Sequence, residues 1–305
     1  METQLQELRR LAAHAENRRT ETGIPRVAMV QGRVPEHELA AVYEPMVNLI
    51  LTGSKTMTVG DRTLRYDPAT YFVMSVDLPA TGAVHPSKTG EPYLAVSLTL
   101  APAVVTSLLA DLPEHACDDA AASAAFEVAP VTTELLDAWV RMLRLVGRPT
   151  EIAALAQAYE REILFRVLQG PQGWMVRDLA IPGTALSRVG VAIHWIRENF
   201  TKPLRVEDLA SLSALSPSAF HRQFKAVTSH SPLQYQKRVR LLHARSLLVA
   251  GKGNATSVAF DVGYESATQF SREYARLFGL PPAKDATRLA VRAGSGKHSR
   301  GSRTR

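Results

Sequence analysis

The last third of the chain carries one pattern twice, and this repetition limits the possible folds more than any other feature. In VEDLASLSALSPSAFHRQFKAVT, Val206, Leu209 and Ala210 make a short apolar face, and Ser213 to Leu215 read as a turn. Ser216 and Pro217 then open a second helix, because a serine hydroxyl accepts a bond from an otherwise orphan amide and proline has the φ of a first helical residue. Phe220 and Phe224 share the inner face of that helix, which leaves Ser218, His221, Arg222 and Lys225 outside. NATSVAFDVGYESATQFSREYARLFG repeats the plan: Val258 and Ala259 form the first apolar face, Gly263 the turn and Ser266 the cap. Phe270, Tyr274 and Phe278 point inward, and Ala267, Thr268, Ser271 and Arg272 outward. Ser266 and Gln269 have the spacing of a capping box, in which each side chain satisfies one free amide.

Between the copies, PLQYQKRVRLLHARSLLVAG predicts a linking helix of roughly 16 to 18 residues, about 25 Å long. Before them, Val189, Ala192, Ile193 and Ile196 mark a scaffold helix. A polar helix face packed steeply on its predecessor is what a reader of the DNA major groove requires, and two on a spacer can enter successive grooves about 34 Å apart.

Charge is divided in the same sense. Residues 1–172 hold 15 Lys and Arg against 21 Asp and Glu, a balance of −6, whereas residues 173–305 hold 21 against 8, a balance of +13. The basic part is the candidate for a polyanionic partner. The end of the chain, VRAGSGKHSRGSRTR, has five basic residues and no apolar period, so residues 291–305 read as a disordered basic tail.

At 305 residues, two domains are expected. Residues 1–20 read as a leading helix with Leu5, Leu8 and Ala12 on one face. From about 24 to 100 the pattern is that of strands: MVNLIL, KTMTVGDRTLRY, TYFVMSV and YLAVSLTL, with Gly60-Asp61 as a hairpin turn. Short strands this closely spaced predict a small barrel or sandwich. From Ala101 to Gly170 the period turns helical, with Leu135, Trp139, Leu143 and Val146 on one stripe. Ile152, Leu155, Ala156, Tyr159, Ile163 and Val167 form a second, and either stripe could pack on the barrel or on a second copy of the chain. Pro171, Gly173, Pro182 and Gly183 punctuate the sequence where a domain boundary is expected.

The segments LRVEDLA, LSPSAFHRQFK, RLLHARSLL and VAFDVGYESATQFSREYARLFG resemble the AraC/XylS family of transcription regulators over about residues 188 to 282. ETGIPRVAMV, LILTGSK, DLPATGAV and PYLAVSLTL resemble the N-terminal domain of one AraC subfamily. Phe260 departs from the family pattern, as does PPAKDATRL at the last helix. The resemblance implies an α+β two-domain protein: a cupin-like β-barrel with flanking helices over 1–172, then an all-α domain over 184–290 with two helix-turn-helix units joined by a linker helix.

It further implies sequence-specific binding to double-stranded DNA, contact with RNA polymerase, a homodimer, and control by a small-molecule effector. Carried over to this chain, the base-facing residues are Ser218, His221 and Arg222 in the first reader and Ala267, Thr268, Ser271 and Arg272 in the second. Ser216, Lys225, Ser266 and Gln269 take the cap and backbone positions. Arginine can bond guanine twice, and Ala267 can touch a thymine methyl.

Other chemistries find little support in the residues. His37 and His85 are the only histidines of the strand region, too few to converge on a metal, and no phosphate loop or nucleophile motif occurs. Neither an enzyme nor a bound cofactor is expected. Cys117 sits among acidic residues, which disfavour a thiolate. No run approaches the roughly 18 apolar residues of a membrane helix, and the N-terminus lacks a signal-peptide core, so a cytoplasmic protein is expected. Tyr43, Met46, Tyr71 and Met74 could line an effector pocket in the barrel or simply fill its core. An interaction protein whose barrel binds a protein partner, with DNA binding secondary, is the alternative.

Overall fold

The computed structural model describes residues 1–16, 19–32, 38–68, 70–113 and 124–295, so His37, Cys117 and residues 296–305 lie outside the described residues. Packing divides the chain into two compact units: Met1–His194 with Glu207–Ser231, and Trp195–Val206 with Pro232–Arg305.

The first unit opens with helix α1 (Glu2–Leu11), which buries Leu5 and Leu8. Its strands are β1 (Thr20–Glu21), β2 (Val27–Gly32), β3 (Glu38–Tyr43), β4 (Met46–Thr52), β5 (Ser54–Val59), β6 (Arg62–Tyr66), β7 (Thr70–Met74), β8 (Leu78–His85), β9 (Tyr93–Thr99) and β10 (Phe126–Pro130). They form two antiparallel sheets, one ordered β1-β2-β9-β4-β7-β10 and the other β3-β8-β5-β6. The hairpin predicted at Gly60-Asp61 joins β5 to β6, with Val59 opposite Arg62 and Gly60 at φ +62°.

Two expectations were too helical. The leading helix stops at Leu11 rather than near residue 20, because the chain then runs beside the sheet, where Glu16 accepts the Gln31 amide and Thr20 pairs with Met29. Phe126–Pro130, inside the stretch read as helical, is a strand, because the edge of β7 offers it five successive partners from Met74 to Thr70.

Register fixes what each face of the larger sheet does. Met29, Val96, Leu49, Tyr71 and Ala129 lie in one cross-strand row, and Ala28, Ser97, Asn48, Phe72 and Val128 in the next. Successive residues of a strand point to opposite faces, so the first row belongs to one surface and the second to the other. The first surface packs under α1, α2 (Pro102–Ala110), α3 (Thr133–Leu143), α4 (Pro149–Leu168) and α5 (Gly173–Ala180) in one core. Leu135, Trp139, Leu143, Ile163 and Val167 from the two predicted stripes are buried there, while Leu155 stays 37% exposed. Arg26 and Glu160 pair across this core, and the carboxylate is buried. Met175 and Val176 of α5 are fully buried in the same core, whereas Pro171, Pro182 and Gly183 on either side are exposed.

Helix α6 (Ala185–Glu198) follows, with Val189, Ala192, Ile193 and Ile196 buried as its period predicts. Then come α7 (Val206–Leu212) and α8 (Pro217–Thr228), the first helix-turn-helix. By sequence order the two readers belong together, but α8 packs in the unit of the barrel. Ala125, whose carbonyl accepts the Ser75 amide, donates its own amide to Val227 at 3.1 Å. The β5–β6 turn lies so close that a Cβ on Gly60 would meet the Ser229 carbonyl at 2.6 Å.

The second unit contains α9 (Pro232–Val249), α10 (Ala255–Asp261), α11 (Ala267–Phe278) and α12 (Pro282–Ser295). Its core gathers Leu241, Ala244, Val258, Ala259, Val262, Phe270 and Tyr274. The linker is helical over 18 residues, and α12 continues to Ser295, into the stretch read as tail.

Gly60→Ala is expected to destabilise the protein by at least ~1 kcal/mol, since alanine is strained at positive φ and its methyl meets a backbone oxygen. Urea unfolding curves of the two proteins measure this, and an unchanged midpoint would count against the close approach of the hairpin to Ser229.

Candidate nucleic-acid interface and barrel cavity

Each reader helix is built the same way. Ser216 Oγ accepts the Ala219 amide at 3.3 Å, Pro217 occupies the first turn, and Phe220, Phe224 and Val227 form the buried stripe of α8. The two phenyl rings pack at 5.4 Å, which fixes the rotation of the helix about its axis. Ser218, His221, Arg222 and Lys225 therefore face solvent, as does the cap Ser216. The turn before the helix places Ala214 at φ +53°, and Arg188 donates to its carbonyl.

In α11, Ser266 Oγ accepts the Gln269 amide at 3.3 Å, and Phe270 and Tyr274 are buried with their rings 5.5 Å apart. Thr268, Gln269 and Arg272 are exposed, whereas Ala267 and Ser271 are half-buried, Ala267 resting on the core. Gly263 turns the chain at φ +88°, and a Cβ there would meet the Thr201 carbonyl at 2.3 Å. Only half of the expected capping box forms. The Gln269 amide group donates to Glu273 one turn later, where a carboxylate competes with the backbone. The reciprocal box is at Asn254 and Ser257, the start of α10.

Paired charges hold this second reader in place. Glu273 also accepts bonds from Lys237 Nζ and the Tyr264 hydroxyl, both at 2.8 Å. Arg240 of α9 donates to the carbonyls of Phe200, Lys202 and Gly263, tying the turn to the linker. Asp285, fully buried, takes Arg245, Arg288 and the Tyr274 hydroxyl. Burial pushes the Asp285 carboxyl upward, but the bonds from Arg245, Tyr274 and Arg288 outweigh it and hold it below the ordinary value. Arg222, Lys225 and Arg272, by contrast, pair with no carboxylate among the described residues. The outward faces of α8 and α11 thus present cations to solvent.

The first unit also holds a cavity of about 560 Å³, half open to solvent, between its two sheets. Ala28, Val30, Met46 and Val84 give it an apolar wall, Arg19 and Glu44 border it, and Tyr43, Asn48, Lys55 and Tyr93 are its polar lining. Of the four residues that the sequence offers for a pocket, Tyr43 and Met46 line it. Tyr71 is on the opposite face of the sheet, one register position from the inner row, and packs under the helices; Met74 is fully buried outside the cavity wall. Lys55 was not foreseen. It is 6% exposed, its Nζ lies 4.6 Å from the centre of the Tyr43 ring, and burial brings its ammonium down to about 8. His85 ends β8, with its Nε2 3.1 Å from Thr56 Oγ1. Among the described residues no three His, Cys, Asp or Glu converge as metal ligands, and no single helix is long and apolar enough to cross a membrane.

Residues 23–175 match the model of the AraC-type transcriptional regulator N-terminus, half of the chain, and residues 209–288 match a helix-turn-helix domain model. The chain belongs to the AraC family of regulators. Among curated relatives, the HTH-type transcriptional activator RhaS of Klebsiella pneumoniae is 30% identical over 146 residues, 47% of this chain and 50% of that protein. RhaS of Escherichia fergusonii is 34% identical over 144 residues, 46% and 51%. The chain thus spans about half the length of the curated relatives it matches. Among solved structures, apo ToxT of Vibrio cholerae covers 88% of this chain and 99% of its own at TM-score 0.57 and 11% identity, a likeness of fold. The unsaturated fatty acid bound form of ToxT matches at TM-score 0.55 and 10% identity, covering 86% of this chain and 93% of that one.

Asp285→Asn is expected to cost about 3 kcal/mol, because it leaves Arg245 buried without its carboxylate. The folded carboxyl titrates below the unfolded one, so its contribution is complete above about pH 4 and fades as pH falls through the folded value. Urea midpoints of the two proteins should differ at pH 7 and converge in acid; a difference that grows in acid would contradict the assignment.

Proposed function

We propose that the protein is a sequence-specific DNA-binding transcription regulator whose readers are α8 and α11, controlled by a small molecule in the barrel cavity. The observation that carries the reading is the repeated geometry of two capped helices, each with buried aromatic residues on one face and an unpaired arginine on the other. Arg222 and Arg272 each stand six residues after their N-caps, Ser216 and Ser266, so the duplication assigns them equivalent places in successive major grooves. Ser218, His221, Thr268 and Ser271 read or brace neighbouring bases, Ala267 offers a methyl contact, and Ser216, Lys225, Ser266 and Gln269 hold the backbone.

The DNA-binding part is residues 184–290, with the basic stretch beyond it adding non-specific phosphate affinity. The regulator acts in the cytoplasm as a homodimer that engages RNA polymerase and catalyses no reaction. Leu155 is an exposed apolar residue on α4 that a second copy could cover.

The full chain should shift operator DNA in a salt-dependent manner, and residues 1–183 should not. Cutting at 183 keeps Met175 and Val176 with their core. Equal DNA binding by the N-terminal fragment would overturn the domain roles and favour the interaction-protein reading.

Arg222→Ala and Arg272→Ala should each weaken specific binding by about 1–3 kcal/mol and relax preference at one base position, the two positions about one helical turn apart. Arg222 should have the larger effect, because the second reader offers only Ala267 where a base contact is expected. Lys225→Ala should weaken all sequences alike and reduce the salt slope by about one. Site selection on the arginine variants decides the matter: loss of discrimination at the same base pair, or at none, rules out two readers.

A further inference from the structure

The barrel buries a cation that the protein does not neutralise. Lys55 points from β5 into the cavity between two cross-strand neighbours, Tyr66 and Val84, and no carboxylate of the described residues pairs with it. Its one described partner is the face of the Tyr43 ring. Around it the inner faces hold further unspent polar atoms: the Tyr93 hydroxyl, the Tyr66 hydroxyl and Asn48 Oδ1 are buried without a hydrogen-bond partner. Asn48 spends its amide group on the Val96 carbonyl at 3.3 Å. A buried ammonium and buried phenols without acceptors are each costly, and together they lack one thing, an acceptor that carries negative charge. Ala28, Val30, Met46 and Val84 give the wall an apolar stretch, and Arg19, Gln31, Glu44 and Ser97 add polar groups to it.

We propose that the cavity binds a small organic acid, its carboxylate on Lys55 and the Tyr93 hydroxyl and its apolar body between the two sheets. One buried lysine with neutral donors matches a monoanion rather than a phosphate ester, because the other cation of the lining, Arg19, is exposed and already paired with Glu21, and Glu44 brings a negative charge. The volume of about 560 Å³ is that of a metabolite-sized ligand. This deepens the reading of the barrel as a sensor and rests on it for its biological role, although the binding site itself does not.

The test uses the full chain, with medium-chain alkanoates and phenylalkanoates as probes beside their neutral amides, in thermal-shift and direct-binding measurements. At least one acid should raise the melting temperature, since a ligand of the native state stabilises it, and the matching amide should bind about tenfold more weakly or not at all. Lys55→Met should fold, relieved of a buried charge, and lose acid binding by about tenfold while leaving amide binding unchanged. Tyr93→Phe, which removes one hydroxyl, should weaken acid binding several-fold and covers the case in which the lysine variant does not fold. Equal binding of acid and amide, full acid affinity in Lys55→Met or Tyr93→Phe, or no stabilisation by any acid overturns the proposal. Acid binding with no change in operator affinity upholds the site and refutes the sensor reading instead.

Discussion

The larger sheet is covered on both sides, and that constraint organises the first unit. A residue on β4 or β9 has two destinations according to its parity. Val47, Leu49, Val96 and Leu98 enter the core beneath the helices, while Asn48, Ser97 and Tyr93 turn toward the second sheet. The helix side is filled by close-packed apolar side chains. The inner side is left partly empty and is lined by groups that would be expensive to bury for packing alone. One sheet therefore supplies stability on one face and chemistry on the other, and a register slip of one residue would exchange the two.

The readers depend on a different device. Neither α8 nor α11 reaches three and a half turns, a length that is marginal for an isolated helix in water. Their order comes from what lies behind them: paired aromatic rings in both, and in the second unit the carboxylates of Glu273 and Asp285 with the Arg240 clamp. These groups spend their charge internally. Arg222, Lys225 and Arg272 pair with no carboxylate among the described residues.

Much of this was legible in the sequence because it follows from spacing. The serine caps, the positive φ at Gly60 and Gly263, and the inward aromatics are local consequences of residue type at a given position. What could not be read was set by partners distant in the chain. The strand Phe126–Pro130 exists because β7 has an open edge, and Gln269 left its cap for a carboxylate whose position depends on Lys237 and Tyr264. Tyr71 and Met74 were grouped as pocket candidates although their separation of three puts them on opposite faces of a strand. Lys55 shares parity with Met57 and Val59, both buried, so the alternation of β5 itself implies an inward lysine.

Strand β5 has Lys55 near one end and runs directly into the Gly60 turn at the other, five residues or roughly 17 Å of extended chain. A strand paired on both sides is stiff along its length, and β5 is held between β6 and β8. At the far end, Gly60 lies so close to Ser229, which ends α8 in a left-handed turn, that a Cβ would not fit between them. Strand β5 thus joins the wall of the cavity to the end of α8 by one continuous strand paired on both sides.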